Sequence, residues 1–178
     1  MIGEIRDTDT ADIAVRSALT GHLVLSTLHT NDAASVIPRL MNMGIEPYLL
    51  ASVLSGASAQ RLVRKLCPKC RAAYAPSQRE AAILKNAGIE TDALYQARGC
   101  VECGNSGFSG RLAISEVFAS TDELEDLIIK RTGITGIRNH LFNSGMNSLL
   151  HEGLKTAAAG FTTIQEVEKE ILLSRGDA

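Results

Sequence analysis

Tryptophan is absent from these 178 residues, and aromatic side chains make up only 4% of them. A surface that holds single-stranded nucleic acid by base stacking is therefore short of its platforms. No sign of charge dominates either. The formal net charge is −2, which removes the global electrostatic argument for nucleic acid or an anionic membrane. Long apolar runs are missing too. The longest, HLVLSTL at 22–28, is a strand length, well below the ~18–20 residues that span a bilayer. The first residues lack the basic segment and apolar core of a signal peptide, which sets a cytosolic expectation. Cysteine is scarce, and its four copies form two CxxC pairs. In a cytosolic chain such pairs point to metal rather than to disulfides. The rest is ordinary for a soluble globular protein, with 45% hydrophobic and 21% charged residues. The length suits one domain, or one plus a small module.

Residues 1–5 read as a strand and residues 9–21 as a helix. In that helix Ala11, Ala14, Val15, Ala18 and Leu19 form one apolar stripe, Asp9 or Thr10 caps the start, and Gly21 stands at the C′ position. Residues 22–29 are apolar nearly throughout, the pattern of a strand buried on both faces. Strand, helix and strand at this spacing predict a βαβ unit in a parallel sheet. A helix is predicted over 31–44, capped by Asn31 or Asp32, with Pro38 inside it as a kink. Another follows over 46–59 with Pro47 in its first turn, then a strand over 60–66. Between the cysteine pairs a short helix opens on a capping box from Ser77 to Glu80. The glycine-rich stretch 99–111 reads as tight turns, and 112–118 returns to strand. Ser120 and Glu123 form a further capping box. Helices are predicted over 133–143, 147–159 and 163–174, with Gly145 and Gly160 as breaks.

Three groups carry chemistry. Cys67, Cys70, Cys100 and Cys103 form two CxxC turns. Two such turns facing each other make a tetrahedral thiolate cage suited to Zn2+ in a structural role. Redox pairs or buried free thiols are the rival reading. Glu4 follows an apolar stretch, and a carboxylate at the C-terminal end of a parallel strand sits where α/β folds bind ligands. In a nucleotide hydrolase it polarises the attacking water; otherwise it is a helix cap or a solvated turn. His29 ends the second strand on the same sheet edge, in reach of a γ-phosphate. Taken singly, His22 and His29 also fit satisfied structural histidines. The basic residues Arg61, Arg64, Lys65, Lys69 and Arg71 read as a solvated or subunit-facing edge, and GNSGFSG (104–110) as turn geometry rather than a phosphate nest.

GEIRD at 3–7, GHLVLSTLHTNDA at 21–33, QRLVRKLCPKC at 60–70 and a second CxxC followed by GFSGR occur in that order. Together they resemble the bacterial type II secretion and type IV pilus assembly ATPases, over essentially the whole chain. The resemblance implies an α/β fold: the C-terminal part of a RecA-like P-loop ATPase core, with an inserted zinc-binding module and a C-terminal helical bundle. Residues 1–66 would be the partial core, 67–110 the tetracysteine module, and 111–178 the return strand and helical subdomain. It also implies a hexamer at the cytoplasmic face of the inner membrane, engaging inner-membrane platform proteins, with ATP and Mg2+ in the full-length parent and no nucleic acid. Glu4 matches the Walker B glutamate, His22 and His29 the histidine box that senses nucleotide, and the four cysteines the zinc motif. The family usually lacks a proline at Pro38. No G-x-x-x-x-G-K-[ST] phosphate loop occurs in the 178 residues. The family carries that loop upstream of GEIRD, beside a domain donating arginines to a neighbouring subunit. The chain is therefore expected to be the C-terminal piece of a longer ATPase and inactive alone. The alternative is a free-standing zinc-containing module that binds a partner or nucleic acid.

Overall fold

The computed structural model describes residues 1–172. In chain order the elements are α1 (Thr8–Leu19), α2 (Val36–Asn42), α3 (Pro47–Val53), β1 (Gly56–Leu66), β2 (Ala72–Tyr74), α4 (Gln78–Asn86) and β3 (Leu94–Gln96). A 3-10 turn (Val101–Cys103), β4 (Phe108–Ala119), α5 (Asp122–Ile129), α6 (Ile134–Asn143), α7 (Leu149–Ala158) and α8 (Ile164–Leu172) follow. The last two residues of the helix expected over 163–174 lie outside the described residues. The chain forms two compact units. One joins Met1–Ala59 to Glu116–Met146, and the other joins Gln60–Ser115 to the residues from Asn147 onward. The helices after residue 120 are divided accordingly, α5 and α6 in the first unit, α7 and α8 in the second.

In the first unit α1 begins earlier than its sequence suggests. Asp7, extended at φ −134°, accepts a hydrogen bond from Thr10 N at 2.8 Å and is the cap, not Asp9 or Thr10. Gly21, at φ +92°, ends the helix as expected: its N–H bonds Ala18 O, and His22 N bonds Ser17 O. The segments flanking α1 run in the same direction, as a βαβ unit requires, but they form no regular strand pair. Ile2 N donates to Leu25 O and Ile5 N to Thr27 O, each at 2.9 Å. Three residues on one side thus match two on the other. Thr27 Oγ1 donates to Gly3 O at 2.8 Å where the ladder is broken. Burial on both faces is not found: Leu23 is 79% and Leu25 58% exposed.

The helix expected over 31–44 also starts late, at Val36. Asp32 turns back instead, with Oδ1 accepting from Ser35 N at 2.8 Å and Ser35 Oγ at 2.6 Å. Pro38 is consequently the third helical residue. The N–H it lacks is one that a first turn leaves unbonded anyway, so the expected kink has no cause. Pro47 sits at the first position of α3, as expected. That helix stops at Val53, and residues 56–59 join β1 rather than extending it. A Cβ at Gly56 would lie 2.5 Å from Phe118 O. The missing side chain admits β4, and pairing with β4 overrides the helical preference of the alanines. Thr121, not Ser120, caps α5 through Leu124 N. The core here is α3 against α1 and α5, and α5 against α6. Ile37, Leu50, Leu124, Ile128 and Ile137 are fully buried within it, each contributing about 1.5–3 kcal/mol.

The second unit holds the antiparallel β2–β3 pair, with Ala72 opposite Gln96 and Tyr74 opposite Leu94. The expected capping box on α4 is present. Helix α7 packs on α8 and β3. Gly153 makes the α7–α8 approach possible, since a Cβ there would lie 2.5 Å from Val167 Cγ1. The basic segment is not a simple solvated edge. Arg64 grips Glu166 with two donors, Nε to Oε2 at 2.8 Å, and lies 4.0 Å over the Phe108 ring. Arg71 donates to Gly160 O and lies over Tyr95. Two of the five basic residues thus serve packing.

Two outcomes follow. Pro38→Ala should change stability by less than about 1 kcal/mol in urea unfolding; a gain near the ~3 kcal/mol of an interior proline would restore the kink. The Arg64 hydrogen bonds hold the Glu166 carboxyl below its ordinary 4.5, against the desolvation that raises it. A group with a lowered folded pKa stabilises fully above its unfolded pKa and loses that contribution as pH falls through the folded one. Glu166→Gln should therefore be less stable at pH 7, with the difference from wild type closing below pH 4.5, as read by thermal unfolding across pH.

Candidate functional site

Glu4 ends the first extended segment and His29 the second, and the parallel run of the two brings their side chains together. Glu4 Oε2 accepts from Arg6 Nε at 2.6 Å, while His29 Nε2 lies 2.8 Å from Oε1. Glu4 keeps 20% of its side-chain surface and His29 87%. The imidazole contact is one of proximity and charge. Oε1 is buried and accepts no hydrogen bond within the protein. The Arg6 hydrogen bond, opposed by desolvation and aided by the Arg6 and His29 charges, holds Glu4 below the usual carboxylate range. A carboxylate so held stays charged at neutral pH and orients a water better than it strips a proton from one.

Local sequence explains this placement. Arg6 is two residues beyond Glu4 in extended chain, hence on the same side. Asp7, by capping α1, fixes where extension stops. The i, i+2 spacing in GEIRD was the available signal for Arg6 as the partner of Glu4. His22 is not brought to this group. It begins the second segment, with Nδ1 3.0 Å from Thr20 Oγ1 and 3.2 Å from Ser17 O at the end of α1.

The four cysteines do converge. Their sulfurs all lie within 4.8 Å of one another. Cys67–Cys100 is 4.0 Å, and Cys70–Cys103 and Cys100–Cys103 are 3.8 Å. A tetrahedron of thiolates about 2.3 Å from a central ion has edges of about 3.8 Å, close to the three S–S distances above, so the donor set fits a metal. Each pair is shaped by its turn. Arg71 N bonds Cys67 O at 3.0 Å, and Asn105 N bonds Cys100 O at 2.8 Å. Gly104 at φ +57° and Asn105 at +61° give the second turn its left-handed step. A Cβ at Gly107 would collide with Ala97 at 2.5 Å. With no such atom, Gly107 N reaches Cys103 Sγ at 3.2 Å, beside Cys100 N at 3.3 Å. Burial raises a thiol pKa, and for Cys70 it wins, to about 12. For Cys103 burial is outweighed by those two N–H donors, which favour the thiolate.

A family model described as "Type II/IV secretion system protein" matches residues 1–169. The chain is 44% identical over 167 residues to the type II secretion system protein HxcR of Pseudomonas aeruginosa, covering 94% of this chain and 32% of that protein. It is 45% identical over 172 residues to the type IV pilus assembly ATPase PilB of Myxococcus xanthus, covering 94% and 30%. The chain thus spans about a third of the length of these relatives. Among solved structures it resembles the ATPase DotB of Legionella pneumophila, with a TM-score of 0.64, 18% identity, and coverage of 98% of this chain and 38% of that one. The pilus retraction motor PilT with bound ADP gives 0.62, 21%, 94% and 37%. That likeness is one of fold, and it shows the RecA-like α/β class expected from the sequence.

Purified without chelator, the chain should carry one metal ion per four cysteines by elemental analysis. Apparent binding at such sites, ~10–16 kcal/mol, rivals a domain's whole stability. Cys67→Ser should therefore release the ion and melt the β2–β3 region by amide exchange. A metal content near zero with freely titrating thiols would refute the site.

Proposed function

The chain belongs to the type II/IV secretion system protein family, and from that premise we propose that it is the C-terminal portion of a hexameric ATPase that powers type II secretion or type IV pilus assembly. The observation that carries the reading is the Glu4–His29 pair at the ends of two parallel segments, with His29 Nε2 2.8 Å from Glu4 Oε1. Glu4 acts as the Walker B glutamate that orients the attacking water. His29, exposed on the open side, meets the γ-phosphate and senses its loss. His22 belongs to the same histidine box by pattern. Arg6 holds the other Glu4 oxygen, Oε2, at 2.6 Å.

ATP and Mg2+ are bound only by the full-length protein. None of the 178 residues forms a G-x-x-x-x-G-K-[ST] loop, so backbone donors and a lysine for the β- and γ-phosphates come from other segments. The relatives, about three times as long, have room for them. The four-cysteine cluster holds Zn2+ structurally, because four thiolates leave no open position for substrate. Partners are further copies of the subunit and inner-membrane platform proteins, with the protein on the cytoplasmic side. No helix among the described residues is long and apolar enough to cross a membrane. Nothing favours the alternative of a nucleic-acid module, since Arg64 and Arg71 are engaged within the fold.

The 178-residue chain should release no phosphate above background, because Glu4 orients a water usefully only when a γ-phosphate is held in line beside it. In the full-length ATPase, Glu4→Gln should abolish hydrolysis and leave ATP binding intact. His29→Ala should lower kcat more than it raises KM. Phosphate release by the 178-residue chain that disappears in Glu4→Gln would overturn this account.

A further inference from the structure

His29 owes little of its position to its own surroundings. Its side chain is 87% exposed, and the last backbone bond between the two extended segments is at Thr27. Three to four residues further on, the backbone becomes firmly held. Ala33, fully buried, donates its N–H to Glu116 Oε1 at 2.6 Å. Glu116 is itself only 4% exposed, on β4. Asp32 is held from the other side. Its Oδ1 takes Ser35 N and Oγ, and its Oδ2 takes Arg138 Nη2, from α6, at 2.6 Å. Arg138 Nη2 also reaches Ser35 Oγ at 3.2 Å. Such burial makes each bond count, because a carboxylate or N–H left without its partner there keeps the full desolvation penalty.

Resting on the functional reading above, we propose that Glu116 and Arg138 are positioning residues for His29: by clamping the turn at Asp32 and Ala33 they set where the imidazole stands relative to Glu4. Glu116 accepts from Ala33 N, and Arg138 donates to Asp32 and Ser35. They act through the short stretch Thr30–Asn31, whose far end they anchor. Glu116 accepts the free N–H that begins the turn into α2, where a negative charge also suits the helix end. Arg138 neutralises Asp32, whose side chain is only 18% exposed and would otherwise carry an unpaired charge. A displacement of the histidine by a fraction of an ångström to 1 Å is enough to lower turnover substantially, since in-line attack tolerates little misplacement.

The test is kinetic, on the full-length ATPase, with Glu116→Ala, Arg138→Met, His29→Ala and the two doubles with His29→Ala. Each clamp variant should lower kcat about 10- to 100-fold with KM for ATP within about twofold. Each double should be no slower than His29→Ala alone, because both changes act through one imidazole. Glu116→Gln, which keeps an acceptor for Ala33 N, should recover most of the loss. Thermal unfolding checks folding; if Glu116→Ala does not fold, the partly exposed Arg138→Met carries the test. Clamp and His29→Ala effects that multiply, or clamp variants with wild-type kcat beside an impaired His29→Ala, overturn the positioning role. Wild-type kcat in His29→Ala overturns the functional reading on which it rests.

Discussion

Pairing of β1 with β4 joins Gly56–Leu66 to Phe108–Ala119, two stretches separated by the entire cysteine segment. At one end Ser120 N bonds Ser55 O at 2.9 Å, and at the other Cys67 N bonds Gly107 O at 2.9 Å. The strands therefore run in opposite directions and close the intervening residues into a loop. The closure sets Cys67 beside the turn that carries Cys100 and Cys103. Toward the other end of β4 it delivers Glu116 to Ala33. A gap of this length in sequence makes the loop-closure entropy substantial. Burial of Val63, Leu66, Ile114 and Phe118 along the two strands offsets it.

Around that strand pair, carboxylates recur as fasteners. Asp7 caps α1, Asp32 and Glu116 fix the turn before α2, Glu80 accepts from Tyr74 at 2.7 Å while closing its capping box, and Glu166 holds Arg64. Each has a donor or cation in place, and for the buried Glu80, Glu116 and Glu166 burial requires it. Glu4 differs. One of its oxygens is taken by Arg6 and the other accepts nothing inside the protein. That oxygen is buried beside His29, whose Nε2 is 2.8 Å away. An unmet hydrogen-bonding capacity of this kind is where a fold leaves room for chemistry.

Much of this was readable from local pattern. The two CxxC pairs were legible, because each tight turn presents its own two thiolates to one side, while their meeting depends on the β1–β4 pairing. The Ser77–Glu80 capping box, Gly21 and Gly160 as helix ends, and Pro47 at a first turn are all short-range effects. The reading failed where competing partners are distant in sequence. Residues 56–59 look helical until β4 is present. Asp32 looks like the cap of the helix but caps only the turn before it, with Oδ1 accepting from Ser35 N while Arg138 takes Oδ2. Arg64 and Arg71 look like surface charge until Glu166 and Gly160 meet them.

Sequence alone determined the motifs and their order: GEIRD, the histidine-bearing segment, the paired cysteines and the helices' stripes. Those depend on side-chain identity within a few residues, where hydrogen bonding and periodicity act without the rest of the fold. Tertiary structure alone decided that Glu4 faces His29 and not His22, that Pro38 falls in a first turn, and that Glu116 and Arg138 hold the turn after His29. These outcomes depend on contacts between residues up to 106 positions apart. Such contacts form only when burial of the apolar core has offset the entropy of bringing them together.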